Sequence, residues 1–187
     1  MNFRLFKDIH GLAGNAVLDA VMRFSAQYLL FVVFAALAVL LLLRLRADGL
    51  RAATRDSVWP AAGLVLSYAL GLLVAAVHPE ARPFTTHPQV HPLIAHHPGQ
   101  AFPSDHSTAA FAIALVVLAF LSRSIGAALL GAAALIGFSR IYVGVHYPGD
   151  ILASLIVATV GVGLVSLIHS RTGQPVQPRA HATPARH

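Results

Sequence analysis

Five stretches of this chain are apolar over the length that a helix needs to cross a bilayer, and this feature limits its fold more than any other. The hydrocarbon core offers no partners to backbone N–H and C=O groups, so a crossing helix satisfies them internally over about 20 predominantly apolar residues. The runs cover residues 24–43, 57–77, about 105–122, 124–142 and 150–168. Composition agrees: 57% of the residues are hydrophobic and 11% charged, against roughly 25% charged in soluble domains. The expected fold is all-α, a polytopic membrane bundle of about five transmembrane helices. Residues 1–170 read as one membrane domain, and the Pro-rich polar stretch 171–187 as a disordered tail.

The third and fourth runs are separated only by Ser122-Arg123-Ser124, which predicts an antiparallel hairpin with Arg123 snorkelling to the interface. Small residues crowd the fourth run (GAALLGAAALIG) and permit close helix approach. Before the first run, Phe3, Phe6, Ile9, Val17, Leu18, Val21 and Met22 recur at helical spacing among charged residues. That pattern predicts interfacial helices, broken near Gly11 and Gly14, with Asn15 capping the second. The stretch does not read as a secretory signal, because the apolar run starts late and is too long. Trp59, Tyr28 and Tyr142 near the span ends are expected to be interfacial anchors.

Cysteine is absent, which excludes disulfides, thiolate metal sites and cysteine nucleophiles. The formal charge of +6 suits membrane lipids or phosphate ligands; its arginines are scattered between apolar spans, which argues against a nucleic-acid partner. With five spans, eight of the 13 Lys and Arg residues fall on one side, in the first and third connections and the tail. The positive-inside rule puts that side in the cytoplasm. The other connections then face outward.

On this outer side lie three polar clusters: HPEARPF at 78–84, FPSDHS at 102–107 and SRIYVGVHYPGD at 139–150. Ser104 stands where a helix N-cap belongs, and a helix N-terminus presents free N–H groups and partial positive charge to a phosphate. His106, in the first turn, is a candidate proton donor to a leaving group. His146 and Asp150 are four apart across the start of the fifth run, so Asp150 can hold one ring nitrogen and leave the other as nucleophile. Arg82 and Arg140 supply guanidinium groups for phosphoryl oxygens. This logic requires no metal and no cofactor. Glu80 and Asp105 are the carboxylates that could touch the headgroup or an accompanying Mg²⁺. His87, His91, His96 and His97 lie in a loop whose uneven spacing and prolines argue against one rigid ligand set; a pH-sensitive loop covering the substrate is expected.

Arg82-Pro83, Pro103-Ser104-Asp105-His106, and Ser139-Arg140 with His146 and Asp150 resemble the three signature motifs of the type 2 phosphatidic acid phosphatase (PAP2) superfamily. FKDIHGL, VLDAVM, RPF, SDH and FSRIYVGVHYPGD are similar to bacterial undecaprenyl-diphosphate phosphatases of the bacitracin-resistance type, and the likeness covers roughly residues 1–168. The resemblance implies a phosphohistidine mechanism on a polyprenyl diphosphate lipid in the bacterial inner membrane. In it, His146 attacks, Asp150 orients, His106 protonates the leaving oxygen, and Arg82, Ser104 and Arg140 hold the phosphoryl group. Two positions depart from the motifs: Ala75 stands where the first generally has Lys, and Asp105 where the second commonly has Gly. The competing readings are a phosphatase for phosphatidic acid or phosphatidylglycerol phosphate and, from another class, a lipid transporter. The near absence of charge within the spans speaks against transport.

Overall fold

The structure, a computed structural model, describes residues 2–172. Its helices are α1 (Asn2–His10), α2 (Ala16–Gln27), α3 (Leu29–Asp48), α4 (Leu50–Val77), α5 (Pro83–Thr86), α6 (Asp105–Val116), α7 (Arg123–Tyr142) and α8 (Pro148–Arg171). A π-helical turn, Val117–Leu121, continues α6. Helix α8 runs through Arg171, one residue into the stretch read as a tail; residues 173–187 of that tail lie outside the described residues.

The membrane protein is multi-pass. Helices α3, α4, α7 and α8 are each long and apolar enough to cross a bilayer, while the third run forms the shorter apolar helix Asp105–Leu121. This short helix is the centre of the bundle. It packs against α3, α4, α7 and α8, and Ala110 through Ala114 are all buried. Large apolar side chains elsewhere point outward, among them Phe31, Leu43, Val65, Leu73, Leu152 and Leu164, forming the surface that lipid covers.

Several boundaries differ from the apolar runs. Phe24 belongs to α2, and the first span begins at Leu29 after a bend at Tyr28. Only Gly49, at φ 78°, separates α3 from α4, so Arg44, Arg46, Arg51 and Arg55 extend helices instead of lying in a loop. The physical reason is that charge marks where hydrocarbon ends, whereas backbone hydrogen bonding continues into the aqueous layer. At this end Arg44 Nη2 donates to the Leu121 carbonyl at 2.9 Å, and His169 lies against Trp59 and Phe120. The predicted hairpin is present: Ser122 caps α7 by accepting from the Ile125 N–H at 3.4 Å.

Helices α4 and α8 meet at Gly161. A Cβ there would lie 2.7 Å from the Ser67 Cα, so no larger residue fits without moving a helix. At the opposite end Asn15 caps α2 as predicted, accepting from Val17 and Leu18 at 3.1 Å each. Tyr142 is not an interfacial anchor. It is buried, and its hydroxyl donates to Asp19 at 2.6 Å and to the Leu12 carbonyl at 3.1 Å, fastening α2 and the turn after α1 to α7. The contact also holds the Asp19 carboxyl below its ordinary range.

Candidate active site

The three polar clusters meet at the end of the bundle away from Arg44 and Arg123, where α4, α7 and the loop before α6 arrive and α8 departs. Pro148 opens α8 and Asp150 occupies its third position, so the Asp150 carboxylate folds back over the preceding turn. Its Oδ2 accepts from the Tyr147 backbone N–H at 2.8 Å and from His146 Nδ1 at 3.0 Å. His146 reaches that position because the chain reverses after Arg140 through Gly144, at φ +86°. A Cβ on Gly144 would also lie 3.0 Å from the His10 ring and 3.3 Å from Pro92 Cα.

Arg82 closes the other side of the imidazole. Its Nη1 donates to the Val145 carbonyl at 3.2 Å and lies 3.1 Å from His146 Nε2. A guanidinium can only donate, so Nε2 is the accepting nitrogen and Nδ1 carries the proton given to Asp150. Both neighbours therefore select one tautomer, with its lone pair on Nε2. Burial pushes the His146 pKa well below 6.5, and Arg140, Arg82, His96 and His106 push in the same direction. At neutral pH this imidazole is uncharged.

Arg140 is almost fully buried. Its Nη1 donates to the Ala26 carbonyl at the end of α2 at 3.1 Å, and its Nη2 to His96 Nε2 at 2.9 Å. Ser104 precedes α6 in extended conformation at the predicted cap position, but its hydroxyl makes no capping bond. Instead its carbonyl accepts from Ser154 Oγ at 3.0 Å, and the same hydroxyl donates to the Asp150 carbonyl at 2.8 Å. Ser154 thus ties the first turns of α6 and α8 together. Arg82 Nε, Arg140 Nε and Ser104 Oγ are buried polar atoms without a hydrogen-bond partner among the described residues. Buried donors are ordinarily satisfied. Ser107 Oγ and Asp150 Oδ1 in the same clusters are also without a partner among the described residues, and the donors among these atoms suit the oxygens of a phosphoryl group.

His106, half-buried in the first turn of α6, lies close enough to influence the His146 charge. The proposed carboxylates are less engaged. Asp105 is exposed at the start of α6, and Glu80 is half-buried beside the isolated bridge between Ala81 and Gln100. Neither forms an ion pair with Arg82 or Arg140 among the described residues. Ala75 lies in the last turn of α4. The loop histidines go separate ways: His87 stacks on Phe3 with ring centres 3.8 Å apart, His96 meets Arg140, and His91 and His97 are exposed. No group of three or more His, Cys, Asp or Glu residues suited to a metal ion occurs among the described residues. Sequence reasoning missed the particular part of His96 and of the Ala26 carbonyl, since neither residue type at its position distinguishes it from its neighbours.

Fold and cluster together define a multi-pass membrane protein whose rim is shaped for a phosphoryl group. The chain belongs to the PAP2 superfamily, whose family model matches residues 56–174. It is 42% identical over 161 residues to "Undecaprenyl-diphosphatase BcrC" of Bacillus subtilis, covering 86% of this chain and 80% of that one. It is 30% identical to the "Bacitracin transport permease protein BcrC" of Bacillus licheniformis, over 86% of this chain and 76% of that one. Among solved structures it resembles Aquifex aeolicus LpxE, with a TM-score of 0.71 and 28% identity over 89% of this chain and 94% of that one.

Proposed function

We propose that this enzyme hydrolyses undecaprenyl diphosphate to undecaprenyl phosphate and inorganic phosphate through a phosphohistidine at His146. The single observation that carries the reading is the fixed tautomer: Asp150 on Nδ1 and Arg82 against Nε2 hold a neutral, buried imidazole with its lone pair toward a guanidinium. Arg82 passes from that lone pair to the incoming phosphoryl group. Nε2 then attacks phosphorus, the bond to the bridging oxygen breaks, and His106, which takes up a proton as the negatively charged headgroup enters, delivers it to that oxygen as undecaprenyl phosphate leaves. His106, now neutral, takes a proton from water, whose oxygen attacks the phosphohistidine and releases phosphate and His146. Arg82, Arg140 and Ser104 hold the oxygens whose charge shifts through both steps.

An apolar groove between α3, α4 and α6, lined by Phe34, Leu64, Tyr68, Thr108, Ala112 and Ile113, supports a lipid substrate. It begins on α6 within a turn of His106. The arginine-rich ends of α3 and α4 lie at the other end of the bundle, which supports a site on the extracytoplasmic face of the bacterial inner membrane. The same protein would there regenerate the carrier lipid for cell-wall synthesis and counter bacitracin. Residues 1–170 act as one catalytic unit in this reading.

The test is phosphate release by purified protein from undecaprenyl diphosphate, phosphatidic acid and phosphatidylglycerol phosphate, with and without chelator. The diphosphate should be the preferred substrate, and His146→Ala should abolish its turnover with the fold intact. Retained turnover in that variant would reject the nucleophile, and preference for a monophosphate lipid would reject the substrate.

A further inference from the structure

The imidazole of His96 occupies an edge of Arg140 that an anion needs. In a guanidinium, Nε–H and Nη2–H point the same way and form the fork that grips two oxygens of a phosphate. On Arg140 an Nη1–H donates to the Ala26 carbonyl, Nε is buried without a partner among the described residues, and Nη2 donates to His96 Nε2 at 2.9 Å. Half of the fork thus faces a lone pair of the protein. A phosphate oxygen drawn to the Nε and Nη2 edge comes up beside that lone pair, and two acceptors so placed repel each other unless one becomes a donor.

The loop holds the ring where it is. Leu93 N–H donates to the Val143 carbonyl at 2.9 Å, Ala101 N–H to the Glu80 carbonyl at 2.7 Å, and Val90 and Ile94 are buried. His96 Nδ1 donates to the His97 carbonyl at 3.2 Å, so Nε2 is the nitrogen free to change its role. We propose that His96 is a substrate-binding residue: on arrival of a diphosphate headgroup it takes up a proton and donates through Nε2–H to an oxygen that Arg140 also holds. This deepens the proposed function and rests on it for the identity of the headgroup.

The charged surroundings explain why the proton arrives with the ligand. Burial holds the His96 pKa below 6.5; Arg82, Arg140 on α7 and His97 lower it further, against the bond to the His97 carbonyl, which raises it. His106 on α6 and His146 share the same cluster of positive charge. A phosphate reverses the sign of this field at the ring. Ala75 leaves the first motif one cation short, and a protonated His96 restores one to the headgroup.

The experiment is calorimetric titration of inorganic pyrophosphate into the full chain, purified in detergent at pH 7, in two buffers of different ionisation enthalpy, so that bound protons are counted. Wild type, His96→Gln and His96→Ala are compared, with thermal melts to confirm folding. Wild type should take up more protons than either variant, by about one, and bind about tenfold more tightly, the worth of one charge-assisted hydrogen bond. Equal proton uptake would overturn the proposal. So would affinity that is unchanged or improved in the variants, which would make His96 a cap that phosphate displaces, and so would failure of wild type to bind pyrophosphate. Turnover of undecaprenyl diphosphate is measured alongside: pyrophosphate binding without turnover would reject the proposed function while leaving the His96 assignment standing, and with turnover the variants should lose chiefly in KM.

Discussion

Replacing Asp150 by Asn isolates the charge behind His146, the proposed nucleophile. Asp150 Oδ2 receives two N–H groups, from Tyr147 at 2.8 Å and His146 Nδ1 at 3.0 Å, while Oδ1 is buried without a partner among the described residues. The amide of Asn fits the same space with its oxygen at the Oδ2 position, so the tautomer of His146 is retained. What is lost is the negative charge that Asp150 carries, when ionised, beside a ring that in the proposed mechanism becomes cationic as phosphorus bonds to Nε2. At about 4 Å and an effective dielectric near 20, that attraction is about 4 kcal/mol. Losing most of it lowers kcat about 10²- to 10³-fold. The substrate oxygens are held by other residues, so KM should change by less than about threefold, roughly 0.6 kcal/mol. The assay is steady-state phosphate release from undecaprenyl diphosphate, paired with acid-quench trapping of the phosphoenzyme and a thermal melt. A variant that folds normally and keeps kcat within about threefold of wild type would refute the electrostatic argument.

Two further predictions concern stability. His146 and His96 have pKa values below the ordinary 6.5, so the unfolded chain binds more protons below that pH than the folded one. Their contribution is therefore complete above about pH 6.5 and is lost as pH falls below it; between pH 7.5 and 5.0 the thermal melt of wild type in detergent should fall relative to that of His146→Gln. An equal pH dependence in wild type and His146→Gln would contradict the assigned neutral state of His146. Gly161→Val forces side-chain atoms into the Ser67 backbone of α4 and should destabilise the fold by about 2–3 kcal/mol as an overpacked contact, visible as a lowered melting temperature. An unchanged melt would mean that the two helices do not touch there.

Much of the bundle was legible because hydrocarbon imposes a length and a composition on every crossing helix. The hairpin at Ser122 and the Asn15 cap followed from local chemistry, in which residues a few positions apart decide the outcome. Span ends were misread where charge was taken as the end of a helix, as at Leu29 and Leu50. Tyr142 was misread for a different reason: an aromatic near a span end looks the same whether it faces lipid or, as here, donates to Asp19 from across the fold. His146 and Asp150 could be paired from their spacing, since four residues across a helix start bring two side chains together.

The chain order alone determined that this is a helical membrane protein with phosphate-seeking groups at one rim, because apolar run length and local spacing are properties of neighbouring residues. Tertiary structure alone decided how those groups share their donors. Arg82 meets His146 across 64 positions, Arg140 meets His96 across 44 and the Ala26 carbonyl across 114. Such pairings depend on how the helices pack and on where Gly144 turns the backbone, and a buried donor takes whichever acceptor that packing brings within about 3 Å.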